Sequence, residues 1–423
     1  MIQKRVVITG LGLVTSLGID VKTVWDLLCK GTSGISKISR FDISDLDCKI
    51  GGQVTIKSES EQYIFDSAEF IPEKDIKKMD TFIHFGIASA TQAINDSNLL
   101  DYKALDYSRV GVIVGSGIGG LPFIEKTAIC LHERGPKRIS PFFIPASLIN
   151  LLTGHISMKY GFAGVSDSMV TACATGAQAI GNAVRVIQSG EADVIIAGGA
   201  ESALCRLGIA GFSAIKALST KFNDTPELAS RPWDKQRDGF VMGEGSGIIV
   251  LEDYEHAKKR GAKIYAELLG YGMTADAYHI TAPHPEGKGG AKAMELALSS
   301  AQLGPESINY INAHGTSTPL GDSIEIQAIK TVFKESIYKI PISSTKSSIG
   351  HLLGAAGSVE IIFCVLAMNT GIVPPTLNLY ESSEDPKLNL VPLNAQEHKI
   401  NYCLSNSFGF GGINVALILG NVT

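Results

Sequence analysis

Short runs of uninterrupted apolar residues recur along the whole chain, and longer helix-like segments separate them. A strand that is apolar at every position belongs to a sheet covered on both faces, because a half-exposed strand alternates apolar and polar residues. Strands that alternate with helices in this way predict a layered α/β fold. The runs are RVVITG (5–10), RVGVIVGSG (109–117), ADVIIAGG (192–199), SGIIVLE (246–252), INYINAHG (308–315) and NYCLSNSFG (401–409).

The chain divides into two halves that open in a similar style. RVVITGLGLV opens residues 1–261, and IYAELLGYGM opens residues 262–423 after the charged stretch EDYEHAKKRGAK. This weak similarity favours an internal duplication. Residues 30–80 and 121–165 are more polar and irregular, so we interpret them as insertions that decorate the first half.

Composition narrows the class of protein. The 423-residue chain is 45% hydrophobic and 19% charged, with a net charge of −5, so no global attraction to nucleic acid or anionic membrane is expected. Its seven cysteines lack zinc-type spacing, which predicts reduced thiols in the cytoplasm. The longest apolar helical run, residues 361–368, is shorter than the roughly 20 residues that span a bilayer, so no membrane insertion is expected.

A single cysteine stands out in the stretch VTACATGAQAI at residues 170–180. Ala172 and Ala174 flank Cys173 where a predicted strand, MVTAC, runs into a helix that should end at Gly190. A thiol at a helix N-terminus meets the positive end of the helix dipole, which lowers its pKa and makes it a better nucleophile. A buried structural cysteine explains this segment alone equally well.

The glycine-rich stretch GSGIGG at residues 115–120 matches the pattern GxGxxG of dinucleotide-binding folds. Such a fold needs a helix and then a second buried strand with an acidic residue, and the following residues contain no such strand. We therefore predict a tight turn that lets two backbones approach closely, without a nucleotide.

Two further stretches carry histidines. His314 ends an apolar strand in YINAHGTSTPLGDSIE, where α/β folds bind ligands, and Asp322 with Glu325 fits a helix capping box. His351 follows Lys346 in ISSTKSSIGHLLGAAGSVE, and a lysine among small residues needs a partner. A satisfied loop histidine explains His314 alone.

The last informative stretch is SNSFGFGGIN at residues 405–414, where Phe408 and Phe410 alternate with glycines. A phenylalanine between glycines can swing, and backbone N–H groups there can point at a ligand. Together, one thiol at a helix N-terminus, two histidines, a lysine and a glycine loop predict acyl transfer with a backbone oxyanion hole.

These residues resemble the β-ketoacyl-acyl carrier protein synthases, most closely the type II group of bacterial fatty acid synthesis. The resemblance runs nearly end to end, through VVITGLGLVTSLG, GSGIGGL, SPFFIP, TACATGA, AGGAES, SRPWDKQRDGFVMGEG, NAHGTSTPLGD, STKSSIGHLLGAAG and NSFGFGG. It implies a thiolase-like fold of two related α/β halves in five layers (α-β-α-β-α), a homodimer, and an acyltransferase that needs no cofactor or metal.

The resemblance also implies roles. Cys173 would carry the acyl group, and His314 with His351 would drive decarboxylation of a malonyl thioester. Lys346 would pair with Glu360 and tune the histidines. The backbone amides of Cys173 and Phe410 would form the oxyanion hole, with Phe410 also acting as a gate. Substrate contacts are implied for Ile118 in the acyl pocket, Phe408, and Thr316 and Thr318 in the pantetheine tunnel.

Three positions depart from the family pattern by lacking a hydroxyl near the site: Ala174, Ile349 and Ile413. Two other functions stay open on the residues alone. A thiolase-like degradative acyltransferase would release no CO2, and a non-catalytic scaffold subunit would not be acylated at Cys173.

The implied partner is the acidic acyl carrier protein, loaded with an acyl or malonyl group. Because this chain is itself net negative, docking needs a local basic patch. The candidate docking residues are Lys74, Lys77, Lys78, Lys137, Arg138 and Lys216. The spacing of Lys74, Lys77 and Lys78 places them on one face of a helix if their segment is helical.

Overall fold

The structure is a computed structural model that describes residues 4–57 and 64–422. Its strands are β1 (Val6–Val14), β2 (Ser36–Lys37), β3 (Ile50–Gly51), β4 (Val110–Gly115), β5 (Ser166–Asp167), β6 (Val194–Glu201), β7 (Gly245–Asp253), β8 (Ala266–Ala275), β9 (Tyr310–Asn312), β10 (Ile342–Ser343), β11 (Ile372–Val373), β12 (Gln396–Glu397), β13 (Tyr402–Gly409) and β14 (Ile413–Gly420).

The helices are α1 (Val21–Cys29), α2 (Glu73–Ile76), α3 (Thr81–Asp96), α4 (Leu121–Arg134), α5 (Phe143–Ser147), α6 (Asn150–Tyr160), α7 (Thr175–Ser189), α8 (Arg206–Ala214), α9 (Tyr254–Lys259), α10 (Lys288–Ala301), α11 (Pro319–Phe333), α12 (Lys346–Ile349) and α13 (Ala356–Thr370). Short 3-10 turns precede α7, at Ala172–Ala174, and α13, at Leu353–Ala355.

Within the described residues, ten strands form one sheet in the order β10-β9-β13-β14-β8-β1-β7-β6-β4-β5. The order reads the same from both ends, because each half contributes five strands with matching directions. In the first half, β1 pairs antiparallel with β7 and β7 with β6, whereas the pairs β6–β4 and β4–β5 are parallel. In the second half, β8 pairs antiparallel with β14 and β14 with β13, whereas the pairs β13–β9 and β9–β10 are parallel. The halves meet at β1 and β8, which share the pairs Val7–Glu267 and Ile8–Ala266.

The layers follow from where the apolar side chains meet. One core cluster joins α7 and α13 to the inner faces of both half-sheets. A second joins α3 and α6 to the outer face of the first half, and a third joins α10 and α11 to the outer face of the second. The result is helix, sheet, central helices, sheet and helix. The predicted fold class, two related halves in five layers, is confirmed.

The central helix α13 is apolar on every side, because it lies between two sheets. The segment Leu353–Thr370, which includes it, is long and apolar enough to cross a membrane, yet 83% of it is buried inside the protein. It thus serves as a core helix.

All six apolar runs form strands, as predicted, and α7 ends at Gly190 in the left-handed conformation (φ +85°). The predicted tight turn in GSGIGG is also confirmed, with Gly119 at φ +74°. The strand predicted for MVTAC is wrong. Only Ser166–Asp167 pairs there, and the chain reaches Ala172 as an irregular segment.

Candidate active site

Cys173 lies at a sharp elbow in front of α7. Ala172 takes a positive φ of +49°, which turns the chain into the helix and is unusual for a residue other than glycine. The small residues that follow serve helix packing. A Cβ on Gly176 would lie 2.9 Å from the backbone nitrogen of Ser358, because α13 crosses α7 at this point. The elbow thus presents a thiol on a helix that the second half of the chain holds from behind.

The thiol of Cys173 is a neutral group in this site. Burial raises its pKa to about 12, although Lys346 and the backbone N–H groups of Phe410 and Cys173 itself lower it. The sequence predicted a lowered pKa for this thiol, but burial outweighs the helix N-terminus and raises it.

His314 and His351 stand edge to face, with ring centroids 5.2 Å apart. Burial lowers the pKa of both well below the usual histidine value, and Lys346 lowers it further, so both rings are neutral. The backbone N–H of Leu353 donates to Nδ1 of His351 at 3.2 Å. Neutral His351 therefore carries its proton on Nε2 and can donate from that atom.

The carboxylate of Glu325 holds His314 in place. It accepts the backbone N–H groups of His314 at 2.8 Å and Gly315 at 2.7 Å, and the side-chain amide of Asn406 at 3.2 Å. The capping box predicted for this segment is therefore wrong, since α11 begins after Thr318 without a side-chain cap. Asp322 instead accepts the N–H groups of Ser317 and Trp233, 3.1 and 3.0 Å away.

Lys346 is a buried lysine whose ammonium group donates to Glu360, and both side chains are about 2% exposed. Burial raises the pKa of Glu360 to about 7, although Lys346 lowers it. A buried pair of this kind is retained only where its charges have partners. The Lys346 ammonium lies close enough to both histidines to lower their pKa values.

Cys173, His314 and His351 share one cavity of about 370 Å³. Its wall also includes Thr316 and Thr318, whose hydroxyl oxygens lie 3.0 Å apart. Ring contacts of 5.2 to 6.4 Å between centroids run around it. These rings are Phe410, Phe212, Phe240, His351, His314 and Phe408.

The sequence missed Phe212 and Phe240, because nothing local distinguishes them from core aromatics. Both line the cavity only because the folded chain brings their segments next to Cys173 and His351.

The glycine loop closes one side of the cavity. β13 and β14 form a hairpin whose turn contains Phe410, Gly411 (φ +87°) and Gly412 (φ +74°). The N–H of Gly411 donates to the carbonyl of Ile280 at 2.7 Å. Phe408 and Phe410 are half-buried and line the cavity, so their rings lie where a substrate must pass.

Ile118 lies outside the wall of this cavity. Like Leu121, Phe212 and Cys173, it packs against a neighbouring apolar cluster of buried residues. The three departures from the family pattern do not line the cavity either. Ala174 and Ile349 are buried in the central core, and Ile413 packs against it.

The basic residues lie on the surface, and one of them reaches the cavity. Lys74, Lys77, Lys137 and Arg138 are exposed, and exposed Lys216 lines the cavity mouth. The one-face arrangement predicted for Lys74, Lys77 and Lys78 is wrong, because α2 spans only Glu73–Ile76. Lys78 pairs instead with Asp75 at 2.6 Å and lies 5.4 Å from the Phe142 ring, which brings the two lysine-rich segments together.

The chain matches β-ketoacyl synthases in both of its halves. The family model "Beta-ketoacyl synthase, N-terminal domain" matches residues 3–257, and "Beta-ketoacyl synthase, C-terminal domain" matches residues 265–380.

Similar curated proteins are the "3-oxoacyl-[acyl-carrier-protein] synthase 2" of Rhizobium meliloti, 50% identical over 421 residues, and that of Coxiella burnetii, 50% identical over 422 residues. Both alignments cover 100% of each chain.

Solved structures with the same fold include a beta-ketoacyl synthase from Burkholderia phymatum, 34% identical with a TM-score of 0.88, covering 99% of this chain and 100% of that one. Another is a type II PKS acyl-carrier protein in complex with its ketosynthase bound to the hexaketide. Its matched chain is 34% identical with a TM-score of 0.89, and the match covers 100% of both chains.

Proposed function

The chain belongs to the β-ketoacyl synthase family and is an acyl-transferring condensing enzyme of fatty acid biosynthesis, and on that premise we propose which residues carry the reaction. The enzyme joins an acyl group to malonyl-acyl carrier protein and lengthens the chain by two carbons. One observation carries the assignment of roles. The thiol of Cys173 opens into the same cavity as two neutral histidines, with two backbone N–H groups aimed at its sulfur.

In the first step the sulfur of Cys173 attacks the thioester carbon of an acyl carrier protein. The Cys173 sulfur–carbon bond forms, the thiol of the carrier's pantetheine leaves, and the proton of Cys173 ends on that leaving thiol. The N–H groups of Cys173 and Phe410 hold the oxygen while it is negatively charged. Because the thiol is neutral at rest, it loses its proton only as the new bond forms.

In the second step malonyl-acyl carrier protein loses CO2, and the electron pair of the broken bond becomes an enolate. The N–H groups of the neutral His314 and His351 stabilise its oxygen. The enolate carbon attacks the acyl carbon on Cys173, and the cysteine leaves as a thiolate that takes up a proton. Loss of CO2 supplies the carbanion, so the site needs hydrogen-bond donors and no strong base.

Lys346 and Glu360 support this step from beneath. The ammonium keeps the histidines neutral and favours negative charge in the cavity, and Glu360 keeps the lysine fixed. Thr316 and Thr318 would contact the pantetheine arm along the wall, while Phe408 and Phe410 open and close the path to the thiol.

The partner is an acyl carrier protein, and a ketosynthase of the same fold has been solved in complex with one. We infer that the carrier docks on Lys74, Lys77, Lys137 and Arg138, with Lys216 guiding the arm at the mouth. Exposed Ile215 and Leu320 frame that mouth and provide apolar contact.

We also infer a homodimer in the cytoplasm. Edge strand β5 is exposed, and large apolar side chains are exposed on the segments around it. These include Ile129, Ile144 and Met158. A second copy placed edge to edge would extend the sheet and cover them.

The test is an assay with acyl-acyl carrier protein and malonyl-acyl carrier protein labelled at the free carboxylate. We expect labelled CO2 and a β-ketoacyl product two carbons longer in equal amounts. A thiolase-like enzyme would release no CO2, and a scaffold subunit would leave Cys173 unlabelled by a thiol-directed acyl analogue. Either result would overturn the proposed reaction.

A further inference from the structure

Glu201, the last residue of β6, is a buried carboxylate that the reaction above does not use. It is 0% exposed and accepts four hydrogen bonds. The donors are the hydroxyl of Ser116 at 2.8 Å and the backbone N–H groups of Gly117 at 2.7 Å, Ile118 at 3.2 Å and Gly354 at 3.0 Å.

These donors belong to two separate segments of the site. Gly117 and Ile118 form the turn after β4, which lies beside the elbow, since a Cβ on Gly117 would lie 3.4 Å from the carbonyl oxygen of Ala172. Gly354 lies in the turn Leu353–Ala355, which follows His351. The backbone N–H of Leu353 in that turn donates to the His351 ring and fixes its orientation. One carboxylate therefore joins the wall behind Cys173 to the segment that orients His351.

The contact is close as well as buried. A Cβ on Gly354 would lie 2.2 Å from the backbone nitrogen of Gly117 and 2.8 Å from Oε2 of Glu201. Burying a carboxylate costs several kcal/mol unless hydrogen bonds offset the loss of water. The four bonds are short and converge on both oxygens, so they fix the separation of the two segments.

We propose that Glu201 is a positioning residue that sets acyl chain-length selectivity by clamping the Ile118 turn against the turn that follows His351. This inference rests on the proposed function, since it takes Cys173 as the acylated thiol. It also takes Ile118, which lies outside the cavity described above but packs against the same apolar cluster as Cys173, as a wall of an acyl pocket on that side of the thiol. A displacement of about 1 Å at such a wall can change rates by about 100-fold. Long acyl chains feel the wall, whereas short ones do not reach it.

The test measures alkylation of Cys173 in the full chain, which needs a reactive thiol and a pocket but no condensation. The probes are iodoacetamide and N-dodecyl iodoacetamide, with modification of the Cys173 peptide followed by mass spectrometry. In Glu201→Gln the amide NH2 faces a backbone N–H, which breaks part of the clamp. We expect the dodecyl rate to fall by about tenfold and the iodoacetamide rate to stay within about twofold.

Two further variants calibrate the result. Ile118→Phe should block the dodecyl probe alone, because the larger ring crowds the apolar cluster against which Cys173 also packs. Ser116→Ala removes one donor to Glu201 and should give a smaller shift in the same direction, about threefold. Should Glu201→Gln fail to fold, Ser116→Ala decides the proposal.

The matched control is Glu252→Gln. Glu252 is equally buried and pairs with Val194, at the opposite end of β6. The side chains of Arg260 and Thr9 donate hydrogen bonds to Glu252, and neither residue belongs to the elbow. It should lower the melting temperature and leave the ratio of the two rates unchanged.

If Glu201→Gln also lowers only the melting temperature, the proposal is wrong and Glu201 is structural. A chain that condenses nothing while its alkylation ratio shifts as expected would overturn the proposed function and leave the clamp standing.

Discussion

The two halves of the protein contain the same elbow, and only one carries a nucleophile. Ala172 and Leu353 take φ values of +49° and +48°, each opens a three-residue 3-10 turn, and each leads into a central helix, α7 or α13, of 15 residues. Cys173 is the middle residue of the first turn, and Gly354 is the middle residue of the second.

The difference lies in what meets each elbow from the other half. Glu201 ends β6 of the first half, and its carboxylate takes the N–H of Gly354. Gly409 ends β13 of the second half, and a Cβ there would lie 2.5 Å from the carbonyl oxygen of Thr171 and 3.3 Å from the nitrogen of Cys173. A carboxylate closes one elbow, and a glycine leaves the other open for a ligand oxygen.

The elbow is therefore a scaffold for backbone donors rather than a catalytic site in itself. The turn binds an internal carboxylate in the second half, and in the proposed reaction the equivalent turn of the first half binds a thioester. Whether the turn can support chemistry depends on the side chain at its middle position and on whether another protein group already occupies its backbone N–H groups.

The largest expected effect comes from Cys173→Ala, which makes the first elbow as inert as the second. Condensation should fall by at least about 1,000-fold, because the acyl group has no carrier. Alanine fits the elbow, so the melting temperature should change little. Product formation is measured by mass spectrometry of the acyl carrier protein. Elongation by this variant would mean that the nucleophile lies elsewhere.

His314→Ala and His351→Ala test the contribution that the second half makes to the first elbow. Each removes one donor to the enolate oxygen, so release of CO2 should fall by about 100- to 1,000-fold. Acylation of Cys173, followed with labelled acyl-acyl carrier protein, should fall far less. A double variant that still decarboxylates malonyl thioester would contradict the role of both histidines.

Gly409→Ala tests the open elbow directly. The added Cβ meets the backbone of Thr171, so the turn must shift, and kcat should fall by about 10- to 100-fold. Gly211→Ala is the control, since a Cβ there meets no atom of the described residues within 4 Å. Steady-state kinetics on both variants make the comparison. Equal kcat values would show that closing the elbow does not matter.

Charge reversal at Lys74 and Lys77 tests a surface effect that the elbows do not share. The KM for acyl-acyl carrier protein should rise by about three- to tenfold and lose part of its salt dependence, with little change for acyl-pantetheine. Lys258→Glu with Lys259→Glu is the control, on exposed residues of α9, which packs against the central strands β1 and β7. Equal weakening of both substrate classes would exclude the docking role.

A prediction on stability, separate from these kinetic effects, concerns pH and the buried carboxyl group of Asp80. Asp80 accepts the N–H of Phe123 at 2.8 Å, and burial raises its pKa to about 7. The folded protein therefore binds this proton more tightly than the unfolded chain, whose aspartate pKa is about 4. The stabilisation is complete below about pH 4 and is lost as pH rises through about 7.

Asp80→Asn should flatten this dependence. The free energy of unfolding, measured by urea titration from pH 4 to 8, should fall in the wild type with a slope of up to about 1.4 kcal/mol per pH unit relative to the variant. Parallel curves would show that Asp80 does not titrate in this range.

Much of the fold could be predicted from the sequence, because continuous apolar runs survive any tertiary context. The predictions that are wrong concern residues whose local pattern suggested one role but whose contacts in the folded protein give them another. Asp322 and Glu325 have capping-box spacing, but Glu325 accepts the backbone N–H groups of His314 and Gly315, and Asp322 accepts that of Ser317. Ala172 sits in an apolar stretch, but its positive φ excludes a strand.

The site residues in recognisable motifs lie around one centre, as the sequence suggested for Cys173, His314 and His351. Glu201 escaped notice because its donors lie 84 and 153 residues away, at Gly117 and Gly354. No local spacing encodes such a contact. It becomes visible only when both halves are folded together.

The shared central layer has a consequence for synthesis on the ribosome. α7 emerges first, but its inner face has no cover until α13 has been made, and β13 and β14 follow last. Cys173 therefore leaves the ribosome well before His351 and Phe410 exist. An incomplete chain exposes an apolar face and the Cys173 thiol, so it is prone to aggregate and lacks the residues that complete the site. Activity appears all at once, when the final hairpin closes over the elbow.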